Sequence, residues 1–284
     1  MAALALPGIL VLAAFALLPI ARLIVLAMEE ADGLRPSVFV GPARMLPLLG
    51  SAPVMQAIEH SLLCLLVVPF LVAVPLLFAF VTRSGSRGAK LARAFAFLPA
   101  VTSTVAVGAV WRLLLDDDSG LLNRWLAGIP TWDGDPIRVA WLTGEGVALV
   151  SVLLVTFWRG LGYYAAFFGA ALAQASPSLA EAARLDGASA LTTFRVATWP
   201  SVRGTAALVM TLSAAAAIRL FDEIWVLTSG GPLGRTTTLA WLSWETAFAS
   251  FPPRLGDAAC LALLVAVLSA VALGAARRLG RGRA

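Results

Sequence analysis

Two short stretches of an otherwise apolar chain hold side chains able to recognise a polar solute. The first is Thr156, Arg159, Gly160 and Tyr163, spaced i, i+3, i+4 and i+7, so a helix puts all four on one face. The second is Arg219, followed at three and four residues by Asp222 and Glu223. Both stand inside hydrophobic runs, where an ionisable group is costly and marks a functional position by default. Guanidinium, carboxylate and phenol groups suit a polyhydroxylated ligand, whose hydroxyls both donate and accept, and two arginines equally suit a phosphate. Blander readings stand beside this one: an internal salt bridge from Arg219 to Asp222 or Glu223, and snorkelling or carbonyl pairing for Arg159. Catalytic machinery is not in evidence. No nucleophile and base recur at a fixed spacing, His60 lacks the companions of a zinc site, and Cys64 and Cys260 sit in apolar runs as small hydrophobes. The one lysine, Lys90, lies between Ala89 and Leu91 and belongs to no phosphate loop, so ATP hydrolysis must come from another subunit.

The elements that position these groups are set by composition. Of 284 residues, 60% are hydrophobic and 13% charged, against roughly 45–50% and 25% in soluble domains. A mean hydropathy of +0.89 names the bilayer as solvent. A span needs about 20 apolar residues, and six such stretches are read: Leu6–Met28, His60–Val81, Ala92–Leu115, Gly146–Ala173, Thr205–Thr228 and Asp257–Ala276. The first lacks a basic amino-terminal region and a small-residue cleavage site, and is expected to be a retained span. The expected fold is therefore an all-α integral membrane protein, one domain over 1–284.

The net charge of +5 and a pI near 10.2 reflect topology, not a nucleic-acid partner. Arg83, Arg87, Lys90 and Arg93 follow the second stretch, Arg184, Arg195 and Arg203 the fourth, and Arg277, Arg278, Arg281 and Arg283 the sixth. Glu29, Glu30 and Asp32, and then Asp116, Asp117, Asp118, Asp133 and Asp135, occupy the opposite loops. Basic loops stay inside, so both termini are expected in the cytoplasm. Trp111, Trp125, Trp132, Trp141, Trp225, Trp241 and Trp244 then form an outer aromatic belt. The outer loop after the fifth stretch opens with Ser229-Gly230-Gly231-Pro232 and continues into a short helix around 237–250, either interfacial or closing a pore.

The segment 174–203 is long and polar. Ser178 is expected to cap a helix with Glu181 in its first turn, and Gly187 to end it in a left-handed conformation. A second short helix follows, with Pro200 opening the fifth span. The result is a helix–turn–helix that protrudes into the cytoplasm.

Here the chain resembles a known family. Glu181-Ala182-Ala183, Asp186-Gly187-Ala188, Phe194-Arg195 and Pro200 look like the EAA loop of binding-protein-dependent ABC importer permeases of the sugar and glycerol-phosphate type. The likeness continues in Gly41, Glu59-His60-Ser61, Phe97-Leu98-Pro99, Trp111-Arg112, Ser119 to Asn123, Phe221-Asp222, Thr228 and Gly230-Gly231-Pro232. Departures are His60-Ser61 for the family's Asn-Thr, and Ala197 and Trp199 where it prefers Ile and Leu. The resemblance implies a type I importer fold with six transmembrane helices in the bacterial inner membrane. It also implies a second, similar permease, two ATP-binding subunits carrying ATP and magnesium, and an extracytoplasmic substrate-binding protein. Glu181, Ala182, Ala183, Asp186, Gly187 and Ala188 would couple to the ATPase. Thr156, Arg159, Gly160, Tyr163 and Arg219 match positions of substrate contact in maltose-type members, with Asp222 and Glu223 beside them. An ion-coupled secondary transporter would show repeats and discontinuous helices and would leave this loop unexplained.

Overall fold

The computed structural model describes residues 7–8, 10–129 and 135–281, and Leu6, Trp132, Asp133 and Arg283 lie outside them. Helices dominate, and the one sheet among the described residues pairs β1 (Glu29–Glu30) with β2 (Val38–Phe39), antiparallel. Four helices are long and apolar enough to cross a bilayer: α2 (Ala52–Val81), α5 (Val147–Ala173), α7 (Ala190–Ile218) and α10 (Leu255–Arg281). A fifth span is made if α3 (Arg87–Val101) and α4 (Thr104–Leu114) count together. The first apolar helix, α1 (Leu10–Leu26), is shorter.

Proline chemistry shapes these helices. Pro69 has no N–H for the carbonyl four residues back, and the four residues before α2 resumes, Cys64–Val67, tighten into a 3-10 turn. Pro99 does the same in α3, which ends two residues later. Thr102 then turns extended, its hydroxyl donating to Leu98 O at 2.9 Å, and α4 leaves at 104° to α3. The span read over Ala92–Leu115 is thus a bent pair of helices. Before Pro200 the chain forms a π turn, Phe194–Thr198, without interruption of α7. The short helix expected ahead of the fifth span is therefore the first turn of that span.

The core lies where α2, α5 and α7 meet. Val152, Val155 and Phe168 of α5, Val202 and Val209 of α7, and Ile224 are wholly buried there. Close approach of α3 to α5 needs a glycine, since a Cβ on Gly162 would stand 1.9 Å from Ala96 O. At the end bearing the acidic loops, Asn123 Nδ2 donates to Asp117 O and Val139 O, both at 2.8 Å. Its Oδ1 accepts from Val139 N and Trp141 Nε1, so one amide staples three segments. Leu66, Phe70 and Leu77 of α2, Val150 of α5 and Val271 of α10 face outward. Such a surface matches hydrocarbon and would be a liability in water.

The fifth span ends earlier than expected, and of the two placements left open for the next helix, against the bundle or dipping into it, the structure has the second. The fifth span stops at Ile218, not Thr228, and a separate helix, α8 (Asp222–Leu227), follows after a break. The helix of the next loop, α9 (Leu239–Trp244) with a π turn to Ala249, is packed inside the bundle. Leu239 is wholly buried against Val54, Ala57 and Leu261, because Thr238 caps the helix and holds Leu220 O at 2.7 Å. Trp241 is accordingly a core residue and not part of an interfacial belt.

Candidate functional site

The break after α7 builds the site. Arg219 (φ −95°, ψ 16°) and Phe221 (φ −136°, ψ −55°) leave helical geometry and turn the chain across the bundle. Arg219, Asp222 and Glu223 therefore face the polar stripe of α5 instead of lying along one helix. Thr156, Arg159, Gly160, Tyr163, Arg219, Asp222 and Glu223 all line one cavity of about 500 Å³. It lies about midway along α5, roughly 20 Å from the last residue, Ala173, at 1.5 Å per residue.

Its ion pair is not the expected one. Arg159 Nη1 donates to Glu223 Oε1, joining α5 to α8. Arg159 Nε is buried with no hydrogen-bond partner among the described residues. Arg219 instead donates from Nε to Ala215 O at 3.1 Å. The spacing rule that favoured Arg219 with Asp222 or Glu223 presumes a continuous helix, and the break removes it. The carbonyl pairing expected of Arg159 falls to Arg219.

The remaining walls are smaller or aromatic. Thr156 Oγ1 donates to Val152 O at 2.9 Å, which leaves its lone pairs open to the cavity side of α5. A Cβ on Gly160 would meet Leu71 Cδ2 at 2.6 Å. Tyr163 is 44% exposed and meets Tyr164 and Phe167 edge to face, each at 5.2 Å. Ser213 and Phe221 also line the cavity and were missed as wall residues in the sequence. Ser213, Ala217 and Leu220 recur at i, i+4 and i+7, a signal that polar spacing alone passes over. Phe221 stacks on Trp225 and Trp241, with centroids at 6.3 and 5.8 Å.

At the basic end, α6 (Pro177–Leu185) packs against the first turns of α7, and its Ala180 and Glu181 line a cavity there. It begins at Pro177, so Ser178 lies inside its first turn and is not the cap. Gly187 takes φ +77°. Asp186 N reaches Ala182 O and Ala188 N reaches Ala183 O, both at 3.0 Å, which closes the helix end in the six-to-one pattern of a left-handed stop. Glu181, Ala182, Asp186 and Gly187 are exposed, and Ala183 and Ala188 are half-buried. Leu185 is 88% exposed at the tip.

The comparisons agree with this geometry. Residues 51–284 match the family described as binding-protein-dependent transport system inner membrane component. The lactose transport system permease protein of Rhizobium radiobacter is 31% identical over 95% of this chain and 92% of its own. The diacetylchitobiose uptake system permease protein of Streptomyces coelicolor is 31% identical over 66% of this chain and 52% of its own. In fold, the chain is similar to a permease chain in the crystal structure of a bacterial ABC transporter involved in the import of the acidic polysaccharide alginate. That likeness has a TM-score of 0.81 at 23% identity and covers 99% of this chain and 94% of the other. With its bent spans, its mid-bundle polar cavity and its capped helix at the basic end, the chain belongs to the binding-protein-dependent inner-membrane components, and is a permease subunit of an ABC importer.

Proposed function

We propose that this permease forms one half of a pathway for a saccharide, taken from an extracytoplasmic binding protein and driven by two separate ATPase subunits. The observation that carries the reading is the convergence of Thr156, Arg159, Gly160, Tyr163, Arg219, Asp222 and Glu223 on one cavity within the span region. Two cations, two carboxylates, a phenol and a stacked phenyl ring supply hydroxyl-directed hydrogen bonds and a flat apolar face, the pair of features a sugar ring needs. The lactose and diacetylchitobiose systems of the relatives favour the same class. A binding protein as donor is supported by the solved alginate importer in complex with a pentasaccharide-bound periplasmic protein. Nothing in the fold or the relatives favours the ion-coupled alternative.

The whole chain, 1–284, acts as a single transmembrane domain with six spans and both termini in the cytoplasm, the basic loops facing inward. A second, similar permease completes the pathway. Segment 174–203 is the coupling element. Glu181 and Asp186 meet basic groups of the ATPase, while Ala182, Ala183, Gly187 and Ala188 allow close packing. Closure of the ATPase pair then moves α6 and, through α7, the floor of the cavity.

ATPase activity of the complex that copurifies with the tagged chain tests this reading. Glu181→Ala and Gly187→Asp are expected to lose the ATPase or its stimulation by binding protein, and Tyr163→Ala to lose uptake of an oligosaccharide from a panel of sugars and phosphates. Recovery of no ATPase, with uptake driven by an ion gradient, overturns the reading.

A further inference from the structure

A second polar cavity, of about 690 Å³, lies beside α6 at the basic end of the bundle, with Arg83, Ser84, Arg93, Ser176 and Glu181 among its walls. Next to it a groove of about 640 Å³ shares Arg83, Ala180 and Thr198 with it. Apart from Thr193, the rest of that groove is apolar, with Leu76, Leu77 and Phe80 of α2 and Leu191 and Phe194 of α7 as its large side chains. Arg83 marks the joint between the two, its guanidinium carbon 4.4 Å from the centroid of the Phe80 ring. Phe80 in turn meets Phe194 edge to face at 6.0 Å, which fixes the groove floor. Leu77 and Leu191 are 61% and 60% exposed, so the groove opens sideways toward lipid.

Shape and charge together select the occupant. Two guanidiniums line the polar cavity with one carboxylate, Glu181, and Arg87 and Lys90 stand in the first turn of α3. Arg93 uses Nη1 to hold Thr82 O and keeps its other donors. Leu76 lies seven residues before Arg83, or about 10 Å along the helix, which is the descent from a headgroup to the upper acyl chain. A soluble anion would use the polar end and leave the groove empty. A zwitterionic lipid would fill the groove and gain little from the surplus positive charge. We infer that this joined site binds an anionic phospholipid of the leaflet at the basic end. Its phosphate lies between Arg83 and Arg93, and one acyl chain lies along Leu77 and Leu191. Ala180 and Ala188 of the coupling segment line the groove or its polar end, so the bound lipid braces the root of α6.

The test is retention of lipid by the intact copurified complex, read by native mass spectrometry after exchange into equal parts of phosphatidylglycerol and phosphatidylcholine. The wild type is expected to retain phosphatidylglycerol with a preference of about fivefold per basic group at the surface. Arg83→Ala should lose about that factor and Arg83→Lys should keep it. Leu191→Glu, at an exposed position, should lose the lipid by blocking the chain. Equal retention of the two lipids, or undiminished phosphatidylglycerol in Arg83→Ala and Leu191→Glu, overturns the inference. So does displacement of the lipid by millimolar inorganic phosphate, which would make the polar end a site for a free anion. The readout uses no transported solute, so it stands or falls apart from the saccharide reading.

Discussion

Arg159 and Glu223 join α5 to α8 across the cavity, although 64 residues separate them in the chain. Their side chains are only 21% and 10% exposed. Removing one partner of such a pair leaves an uncompensated charge, at a cost of about 3–5 kcal/mol. Glu223→Ala is therefore expected to lower the thermal midpoint of the purified complex sharply, and Arg159→Glu with Glu223→Arg to recover part of the loss. Asp222→Ala, at an exposed position, should stay within about 0.5 kcal/mol of wild type. Tryptophan fluorescence melts read all three, and equal melts for Glu223→Ala and Asp222→Ala would refute a structural role for the pair.

Gly162 and Gly169 lie seven residues apart on α5 and should respond in opposite ways. A Cβ on Gly162 would meet Ala96 O at 1.9 Å, backbone that cannot swing aside. Gly162→Ala must push α3 away from α5, at a cost of about 1–3 kcal/mol or more. Gly169 has nothing within 4 Å of the corresponding position, and Gly169→Ala should gain about 0.5–1 kcal/mol from helix propensity. The yield of folded protein in mild detergent separates the two, and comparable yields would mean that α3 and α5 do not touch in the membrane.

What was legible in the sequence followed from local rules. The stripe on α5 obeys the helical period, and Gly187 ends α6 in the left-handed conformation that its position demands. Errors came where a helix breaks. Arg219, Asp222 and Glu223 satisfy i, i+3 and i+4, yet the chain leaves helical geometry at Arg219, so the carboxylate of Glu223 is delivered to Arg159 from another element. No proline or glycine announces that break. The bend at Thr102 was foreshadowed by Pro99, but proline is also tolerated in straight spans, as Pro75 is within α2. Burial of Trp241 needed packing in the bundle core against Phe221, twenty residues earlier in the chain, which no short window contains.

Acidification should loosen the turn after α4. Asp116 Oδ1 accepts from Ser119 Oγ and Ser119 N, both at 2.7 Å. These bonds, the hydroxyl first, hold the Asp116 carboxyl below its ordinary value. A carboxylate with a depressed folded pKa adds stability that is present above its unfolded pKa and is lost as pH falls through the folded one. The contribution is thus complete at pH 7 and fades below the usual aspartate value of about 3.9. Asp116→Asn is expected to melt earlier than wild type at pH 7 and together with it in strong acid. A difference that persists unchanged at low pH would assign it to something other than ionisation.

Ser61 should govern α9 although it lies on α2. Its Oγ accepts from Leu239 N at 2.9 Å, and both residues are wholly buried. Leu239 opens α9, where the first N–H groups have no partner within the helix. Its neighbour His60 places Nδ1 3.0 Å from Thr237 O, so the ring donates there from Nδ1. Ser61→Ala strands the Leu239 N–H, at a cost of about 1–3 kcal/mol. Because α9 carries Trp241 and Trp244 against Phe221, the loss reaches the cavity wall. Hydrogen exchange of residues 237–249 should accelerate in Ser61→Ala. In Ser243→Ala, where only a half-buried hydroxyl bonded to Ala258 O is removed, it should change little. Unchanged exchange in Ser61→Ala would show that packing of Leu239 and Trp241 holds α9 without the hydroxyl.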